Sequence, residues 1–165
     1  MTDNITKQRI QLAHPKLRKE LEEIIDHINT NVLTGTSKVR LAYTLRTWEE
    51  QDELYAQGRT KPGKKVTNAK GGESYHNYGN AVDIVLIING KDASWDTKKD
   101  WDQDKQSDWM EVVQEFKKKG WTWGGDWVKF KDMPHFEKTF GYSVKQLRDK
   151  YLKRDFISGT EYVNI

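Results

Sequence analysis

The sequence SYHNYGNAVDIVLII, residues 74–88, contains the segment from which the fold is best predicted. From Ala81 to Ile88 nearly every side chain is apolar, so both faces of this segment are suited to burial. Such a run predicts a central β-strand that is covered on both sides. Asp83 is the exception, and an ionised carboxylate inside an apolar strand is costly unless something positive compensates it.

Around this strand the sequence predicts helices and short strands without a regular βαβ order. Helical spacing and capping sequences predict helices over 15–31, 47–57, 109–120 and 143–154. Strands are predicted over 39–45 and 135–137, and two more around a turn at Gly124-Gly125. Residues 59–80 and 89–104 are polar and predict long loops. We therefore expect an α+β fold, a small and mostly antiparallel sheet flanked by helices, in one domain over residues 1–165.

Composition narrows the chemistry that the chain can perform. The chain has 165 residues, a net charge of +3 and no cysteine. Disulfides, a thiolate nucleophile and cysteine-ligated zinc are therefore excluded, and any metal must be held by His, Asp or Glu. The mild positive charge suits an anionic polymer such as a cell wall, but it equally suits an ordinary solvated surface. The first ten residues lack the apolar core of a secretory signal, and no stretch approaches the roughly 20 apolar residues of a membrane span.

Two of the four histidines lie where they could meet Asp83. His76 precedes the central strand, and Gly79 would allow a close backbone turn between the two residues. His135 begins the last short strand and supplies a third possible ligand. Two histidines and one carboxylate with an open fourth position form a catalytic zinc arrangement, which lowers the pKa of bound water from about 15.7 towards about 7. The alternative is that Asp83 pairs with a Lys or Arg and that His76 is an ordinary loop residue.

A catalytic zinc site also needs a general base beside the water. Asp132 and Glu137 both lie near the last predicted strand. Strand alternation favours Glu137, but Pro134 makes alternation unreliable, so spacing leaves both candidates open. The remaining histidines, His14 and His27, are expected to be cap or surface residues.

The pattern SxHxxGxAxD at residues 74–83, followed by DxxH at residues 132–135, resembles the zinc D-Ala-D-Ala carboxypeptidase and L-alanyl-D-glutamate endopeptidase superfamily. The segments RTWEEQDELYAQGRT (46–60) and VTNAK (66–70) are most similar to its phage endolysin branch. The resemblance implies a zinc-peptidase domain of the hedgehog and D,D-peptidase type. Such a domain would cleave the stem peptide of bacterial peptidoglycan, at the L-alanyl-D-glutamate bond, as a phage endolysin.

The resemblance also implies a role for each matching position. The residues implied to hold Zn²⁺ are His76, Asp83 and His135. Asp132 would be the base that activates water, and Arg46 would orient the substrate and stabilise the oxyanion. Gln51 and Ser74 would line the substrate site. Trp127 is the best groove candidate among the tryptophans, since it lies near Asp132 and His135 in sequence.

The expected partner is bacterial peptidoglycan, with no nucleic acid and no membrane insertion, and we expect a monomer. Because few residues follow Arg154, we expect no separate wall-binding domain. Without a signal peptide, the protein is expected to be made in the host cytoplasm and to reach the wall after holin-assisted release. Two alternatives remain open, a D-alanyl-D-alanine carboxypeptidase on the same scaffold and a non-catalytic zinc-binding or wall-binding module.

Overall fold

The computed structural model describes residues 2–165, which fold around a five-stranded antiparallel sheet. Its strands are β1 (Ser37–Tyr43), β2 (Ala81–Ile88), β3 (Asp92–Ser94), β4 (Thr122–Trp123) and β5 (His135–Glu137). The strand order is β1-β2-β5-β4, and β3 also pairs with β2. Strand β2 is therefore central, as its apolar run predicts, and the predicted α+β fold with a small antiparallel sheet is confirmed.

Helices surround this sheet in the part of the chain that the structure describes. They are α1 (Asn4–Leu12), α2 (Pro15–His27), α3 (Trp48–Ala56), α4 (Asp108–Lys118) and α5 (Val144–Leu152). A π-helical turn, Ile28–Val32, extends α2, and 3-10 turns form at Tyr75–Tyr78 and Gly124–Asp126. Among residues 2–165, no helix is both long enough and apolar enough to cross a bilayer.

The two faces of β2 have different environments. Its even-numbered residues, including Val82 and Ile84, join the main core with helices α1, α2 and α4. Trp109, Phe116 and Phe136 are among the largest fully buried side chains of that core. Successive strand residues point to opposite faces, so Asp83 lies on the face away from the main core. A polar cluster can therefore form on β2 without entering the hydrophobic core.

The structure differs from the sequence-based prediction in several places. Strand β3 (Asp92–Ser94) lies within residues 89–104, where a loop was expected. Two strands were expected around Gly124-Gly125, but only Thr122–Trp123 forms a strand, and Gly124–Asp126 forms a 3-10 turn. A Cβ atom at Gly124 would lie 2.4 Å from the Asp132 carbonyl oxygen. Glycine is therefore needed here for close backbone packing, and it does not mark a hairpin turn. Helix α1 was not predicted because it is weakly amphipathic and buries only Thr6 and Ile10.

Candidate metal centre

Three side chains from separate segments meet on the face of the sheet opposite the main core. His76 comes from the 3-10 turn before β2, Asp83 from β2 and His135 from β5, and their ligand atoms all lie within 4.8 Å of one another. Asp83 Oδ1 is 3.2 Å from His76 Nε2 and 3.4 Å from His135 Nδ1. Asp83 and His135 are direct partners in the β2–β5 register, so their side chains share one face.

A tightly capped turn holds His76 in place. Ser74 Oγ accepts a hydrogen bond from the His76 backbone N at 3.2 Å, and the Asn77 side chain accepts one from Ser74 N at 3.1 Å. Gly79 ends the turn with a φ of +74°, and a Cβ there would lie 2.5 Å from the backbone N of His14. The close turn expected between the first two candidate ligands is therefore present, and it requires glycine.

Each histidine is oriented by a partner on the side away from Asp83. His76 Nδ1 donates to the Thr44 carbonyl oxygen at 2.8 Å, which leaves Nε2 facing Asp83. His135 Nε2 donates to Glu137 Oε1 at 2.8 Å, which leaves Nδ1 facing Asp83. Because a carbonyl and a carboxylate only accept, each ring in its neutral form presents an unprotonated nitrogen to the cluster. No sequence pattern points to Thr44, because its contribution is a backbone carbonyl.

The cluster contains a buried carboxylate that lacks a hydrogen bond. Asp83 Oδ1 is buried and no donor reaches it with hydrogen-bond geometry, although both imidazoles are close. Burial by itself would raise the pKa of Asp83, but the two imidazoles lower it, so the carboxylate is ionised. Burial also opposes a charge on His135, yet the carboxylates of Asp83 and Glu137 outweigh it and raise the pKa of this ring to about 9. A bound cation would displace that proton.

These three side chains fit a zinc ion. Two imidazole nitrogens and one carboxylate oxygen are a usual ligand set for catalytic Zn²⁺, and the unpartnered Asp83 Oδ1 is an acceptor suited to a cation. The sequence left open that Asp83 pairs with a Lys or Arg. Within residues 2–165 its ion-pair partners are only His76 and His135, so the structure does not support that alternative.

The structure distinguishes the two candidate bases by position. Asp132 Oδ2 is 4.0 Å from His135 Nδ1, the ring nitrogen that faces Asp83. The Asp132 side chain is 49% exposed, so water can reach it. Partial burial and the nearby Asp83 carboxylate raise its pKa, which favours accepting a proton. Glu137 instead binds the opposite ring nitrogen, so Asp132 is the better placed of the two to act as a base.

Gly124 positions the segment that carries Asp132. Its carbonyl oxygen accepts hydrogen bonds from Asp132 N at 3.0 Å and from Trp127 N at 3.3 Å. A Cβ at Gly124 would also lie 3.1 Å from the Cβ of His135. The Trp127 ring centroid is 5.1 Å from that of His135, so the indole lies beside the cluster. Substrate contact by Trp127 stays a prediction.

Arg46 lies in an open cleft and is tied to the cluster through the backbone. Its N donates to the His76 carbonyl oxygen at 3.0 Å, and its guanidinium donates to Gln51 Oε1 at 3.1 Å. Arg46 and Tyr43 line a cleft of about 400 Å³. The guanidinium is 5.3 Å from the Tyr43 ring. The charge of Arg46 also reaches Asp132, whose pKa it lowers against the effect of burial.

Two predicted substrate-binding residues have other contacts in the structure. Gln51 has no exposed surface, and its Nε2 donates to the Ala69 carbonyl oxygen at 2.9 Å. It therefore holds Arg46 and the loop after α3 together, and its place in the lining of the substrate site stays a prediction. Ser74 caps the turn that carries His76, so its hydroxyl is already engaged.

The other two histidines lie outside the cluster. His27 is exposed, as expected, and its Nε2 is 3.6 Å from a Glu115 carboxylate oxygen. His14 caps α2 by accepting from Lys16 N at 3.2 Å, which agrees with the cap prediction. It is nevertheless fully buried. Its Nε2 donates to the Val163 carbonyl oxygen at 2.8 Å, and this hydrogen bond joins the start of α2 to the C-terminal residues.

A family model and two curated proteins are similar to this chain. A family model described as D-alanyl-D-alanine carboxypeptidase matches residues 67–138. The peptidoglycan L-alanyl-D-glutamate endopeptidase CwlK of Bacillus subtilis is 55% identical over 92 residues, which cover 56% of this chain and 55% of that protein. The L-alanyl-D-glutamate peptidase of a Listeria phage is 32% identical over 126 residues, which cover 70% of this chain and 42% of that protein.

The chain spans about half the length of the curated relatives it matches. Among solved structures, Serratia marcescens L-Ala D-Glu endopeptidase ChiX is 24% identical with a TM-score of 0.49, over 83% of this chain and 88% of that one. The vancomycin resistance D,D-dipeptidase VanXYg is 16% identical with a TM-score of 0.49, over 87% of this chain and 60% of that one. The matched residues 67–138 include all three candidate ligands and Asp132, so the resemblance to D-Ala-D-Ala carboxypeptidases and L-alanyl-D-glutamate endopeptidases is confirmed for the part of the chain that forms the candidate metal centre.

Proposed function

We propose that this protein is a zinc peptidase that hydrolyses the L-alanyl-D-glutamate bond in the stem peptide of bacterial peptidoglycan. The observation that carries the proposal is the convergence of two oriented imidazoles on the buried, unpartnered carboxylate of Asp83. The 55% identity to a Bacillus enzyme named for this bond supports the choice of substrate.

The residues of the chain divide the chemistry among them. Zinc held by His76, Asp83 and His135 would polarise the scissile carbonyl and lower the pKa of a water molecule. Asp132, with its exposed carboxylate beside His135, takes the proton from the attacking water and later gives it to the leaving amine. Arg46 offers its guanidinium donors to the oxygen on which negative charge develops.

Digestion of purified sacculi tests the bond assignment. Mass spectrometry and N-terminal labelling should find new N-terminal D-glutamate, and a chelator should abolish it. Asp132→Asn should lose at least about 100-fold in rate and keep its zinc. The matched control is Asp126→Asn, which should remain active. Asp126 is an exposed acid in the neighbouring 3-10 turn, and it pairs with Lys117 of α4. Absence of new D-glutamate termini with the zinc-loaded protein would refute the assignment.

A D-alanyl-D-alanine carboxypeptidase is the second candidate function. The description of the matching family model favours it. Release of free D-alanine from a pentapeptide, without new D-glutamate termini, would decide for this activity. The third reading, a non-catalytic zinc-binding or wall-binding module, would be favoured if the loaded protein bound sacculi and released no product. The presence of Asp132 and Arg46 beside the ligands argues against it.

We further propose that the enzyme acts on peptidoglycan as a monomer in phage lysis, after holin-assisted release from the host cytoplasm. The Listeria phage relative supports this setting, whereas the Bacillus relative, with its higher identity, supports a bacterial wall enzyme. Expression of the protein in a bacterial host with and without a holin should distinguish the phage role from the bacterial role. Lysis that needs the holin supports the phage role, and wall cleavage without one supports the bacterial role.

A further inference from the structure

A second acidic cluster lies at the start of α4, on residues that the proposed peptidase chemistry does not use. Residues 100–111 read DWDQDKQSDWME and contain five carboxylates and one lysine. Their carboxylates form two groups that share Asp102. One group is Asp100, Asp102 and Asp108, the other is Asp102, Asp104 and Glu111, and within each the ligand oxygens lie within 4.8 Å of one another.

Glu111 is the residue that points to a bound cation. Its side chain is only 8% exposed, and its Oε2 is buried without a hydrogen bond. Oδ1 of Asp102 is buried and unpartnered in the same way. The ion pairs found among residues 2–165 include neither carboxylate. Two like charges that converge away from water are costly unless a cation lies between them.

The spacing of these acids is that of a calcium-binding loop. With Asp100 as position 1, Asp102 and Asp104 occupy positions 3 and 5, and Glu111 occupies position 12. An EF-hand loop places its side-chain ligands at these positions and has glycine at position 6, where the chain turns sharply. Here Lys105 occupies position 6 and adopts a φ of +79°, so the turn is made without glycine.

The loop already has the shape that such a site needs. Both oxygens of Asp100 accept backbone hydrogen bonds, from Gln103 N at 2.6 Å and from Lys105 N at 2.9 Å. Oδ2 of Asp102 accepts from Thr34 N at 3.1 Å and from Thr34 Oγ1 at 3.0 Å, which leaves Oδ1 free for another partner. Helix α4 begins at Asp108, so position 12 lies on its first turn.

We propose that residues 100–111 bind one Ca²⁺. The side-chain ligands are Asp100, Asp102, Asp104 and Glu111, with the Gln106 carbonyl at position 7 completing the set. All donors are oxygens, which suits a hard cation and distinguishes this cluster from the histidine-containing one. The ion would join the loop before α4 to the segment before β1, through Asp102 and Thr34.

Calcium titration of the zinc-loaded protein tests the proposal. Calorimetry should give one Ca²⁺ per chain, and at a thousand times the Kd the melting temperature should rise by about 8 °C or more. Mg²⁺ at the same concentration should give a much smaller shift. Tb³⁺ should show luminescence sensitised by Trp101 and Trp109, which are positions 2 and 10 of the loop, and Ca²⁺ should quench it by competition.

Glu111→Gln removes the charge and keeps the size of the side chain. It should lower Ca²⁺ affinity at least about 100-fold, whereas Asp92→Asn, an exposed acid on β3, should leave it unchanged. Should Glu111→Gln fail to fold, the exposed Asp104→Asn gives the same test. The proposal is overturned if millimolar Ca²⁺ neither binds nor shifts the melting temperature, if Mg²⁺ binds equally well, or if both ligand variants keep full affinity.

Discussion

Replacing Glu137 with alanine tests how the candidate metal centre is held in shape, separately from its ligands. Glu137 Oε1 is 2.8 Å from His135 Nε2, and its side chain is only 13% exposed. This contact decides which nitrogen of His135 faces Asp83. Without it the imidazole can turn or change tautomer, so a smaller fraction of molecules presents Nδ1 to a metal.

The size of the effect follows from this geometry. A hydrogen bond to a charged group contributes about 1.5–3 kcal/mol, and a buried bond of 2.8 Å belongs in that range. Loss of a partner that orients a metal-binding histidine typically costs about 10- to 100-fold in affinity, which is about 1.4–2.7 kcal/mol. We therefore expect the Kd for zinc to rise about 10- to 100-fold in Glu137→Ala. The rate at saturating zinc should change only a few-fold, because Asp132 and Arg46 are untouched.

Competition with a chromophoric chelator measures this Kd. Glu137→Gln should lie between wild type and alanine, because its amide oxygen can still accept from His135 Nε2. Glu22→Ala, on the exposed face of α2, is the matched control and should not change the Kd. An unchanged zinc Kd in Glu137→Ala would refute the orienting role. Lost hydrolysis with full zinc affinity would instead restore Glu137 as the candidate base.

Gly79→Ala should reduce the free energy of unfolding by at least about 2 kcal/mol for two reasons. The backbone φ is left-handed, which strains any residue with a Cβ, and the new Cβ would lie 2.5 Å from His14 N. In urea denaturation, Gly141→Ala is the control with strain alone (φ +83°, nothing within 4 Å), and an equal loss in both variants would exclude the contact. Burial lowers the pKa of His14, so the unfolded chain takes up its proton first and stability should fall as pH drops below about 6.5. His14→Gln should flatten that dependence in unfolding titrations, and an unchanged slope would point to other groups. Arg46→Lys should lower kcat about 100-fold at unchanged zinc content, and loss of zinc would instead indicate a structural role.

Much of the fold was predictable because the decisive signals are local. The apolar run 81–88 identifies the central strand, since only a strand covered on both faces accommodates it. Ser143 and Thr47 cap helices at the expected positions. Each hydroxyl accepts a hydrogen bond from the backbone N–H three residues later, and this contact depends only on local geometry. The segment around Gly124 was mispredicted, because its conformation depends on packing against the distant Asp132 backbone.

The candidate site divides in the same way. Residue types and spacing made His76, Asp83 and His135 candidates, because a lone carboxylate in an apolar strand is costly without a nearby cation. They left a Lys or Arg partner for Asp83 open, and the family resemblance implied the metal role. Spacing could not assign Gln51, which is buried against Ala69 in a loop 18 residues away. The spacing of the acids around Glu111 is visible in the sequence, but only the structure shows that two of these carboxylates have a buried, unpartnered oxygen.

The order of residues alone is enough to predict the central strand, the glycine turn before it and the residue types of the candidate ligands. Each of these depends on neighbours a few residues apart, whose relative positions the backbone geometry of a strand or turn dictates. Three-dimensional packing is needed to show that Asp132 lies on the Asp83 side of His135, whereas Glu137 binds the opposite ring nitrogen. That assignment depends on two contacts. The pairing of β2 with β5 joins residues about 50 positions apart, and the backbone hydrogen bond between Gly124 and Asp132 joins residues 8 positions apart. Local sequence spacing predicts neither contact.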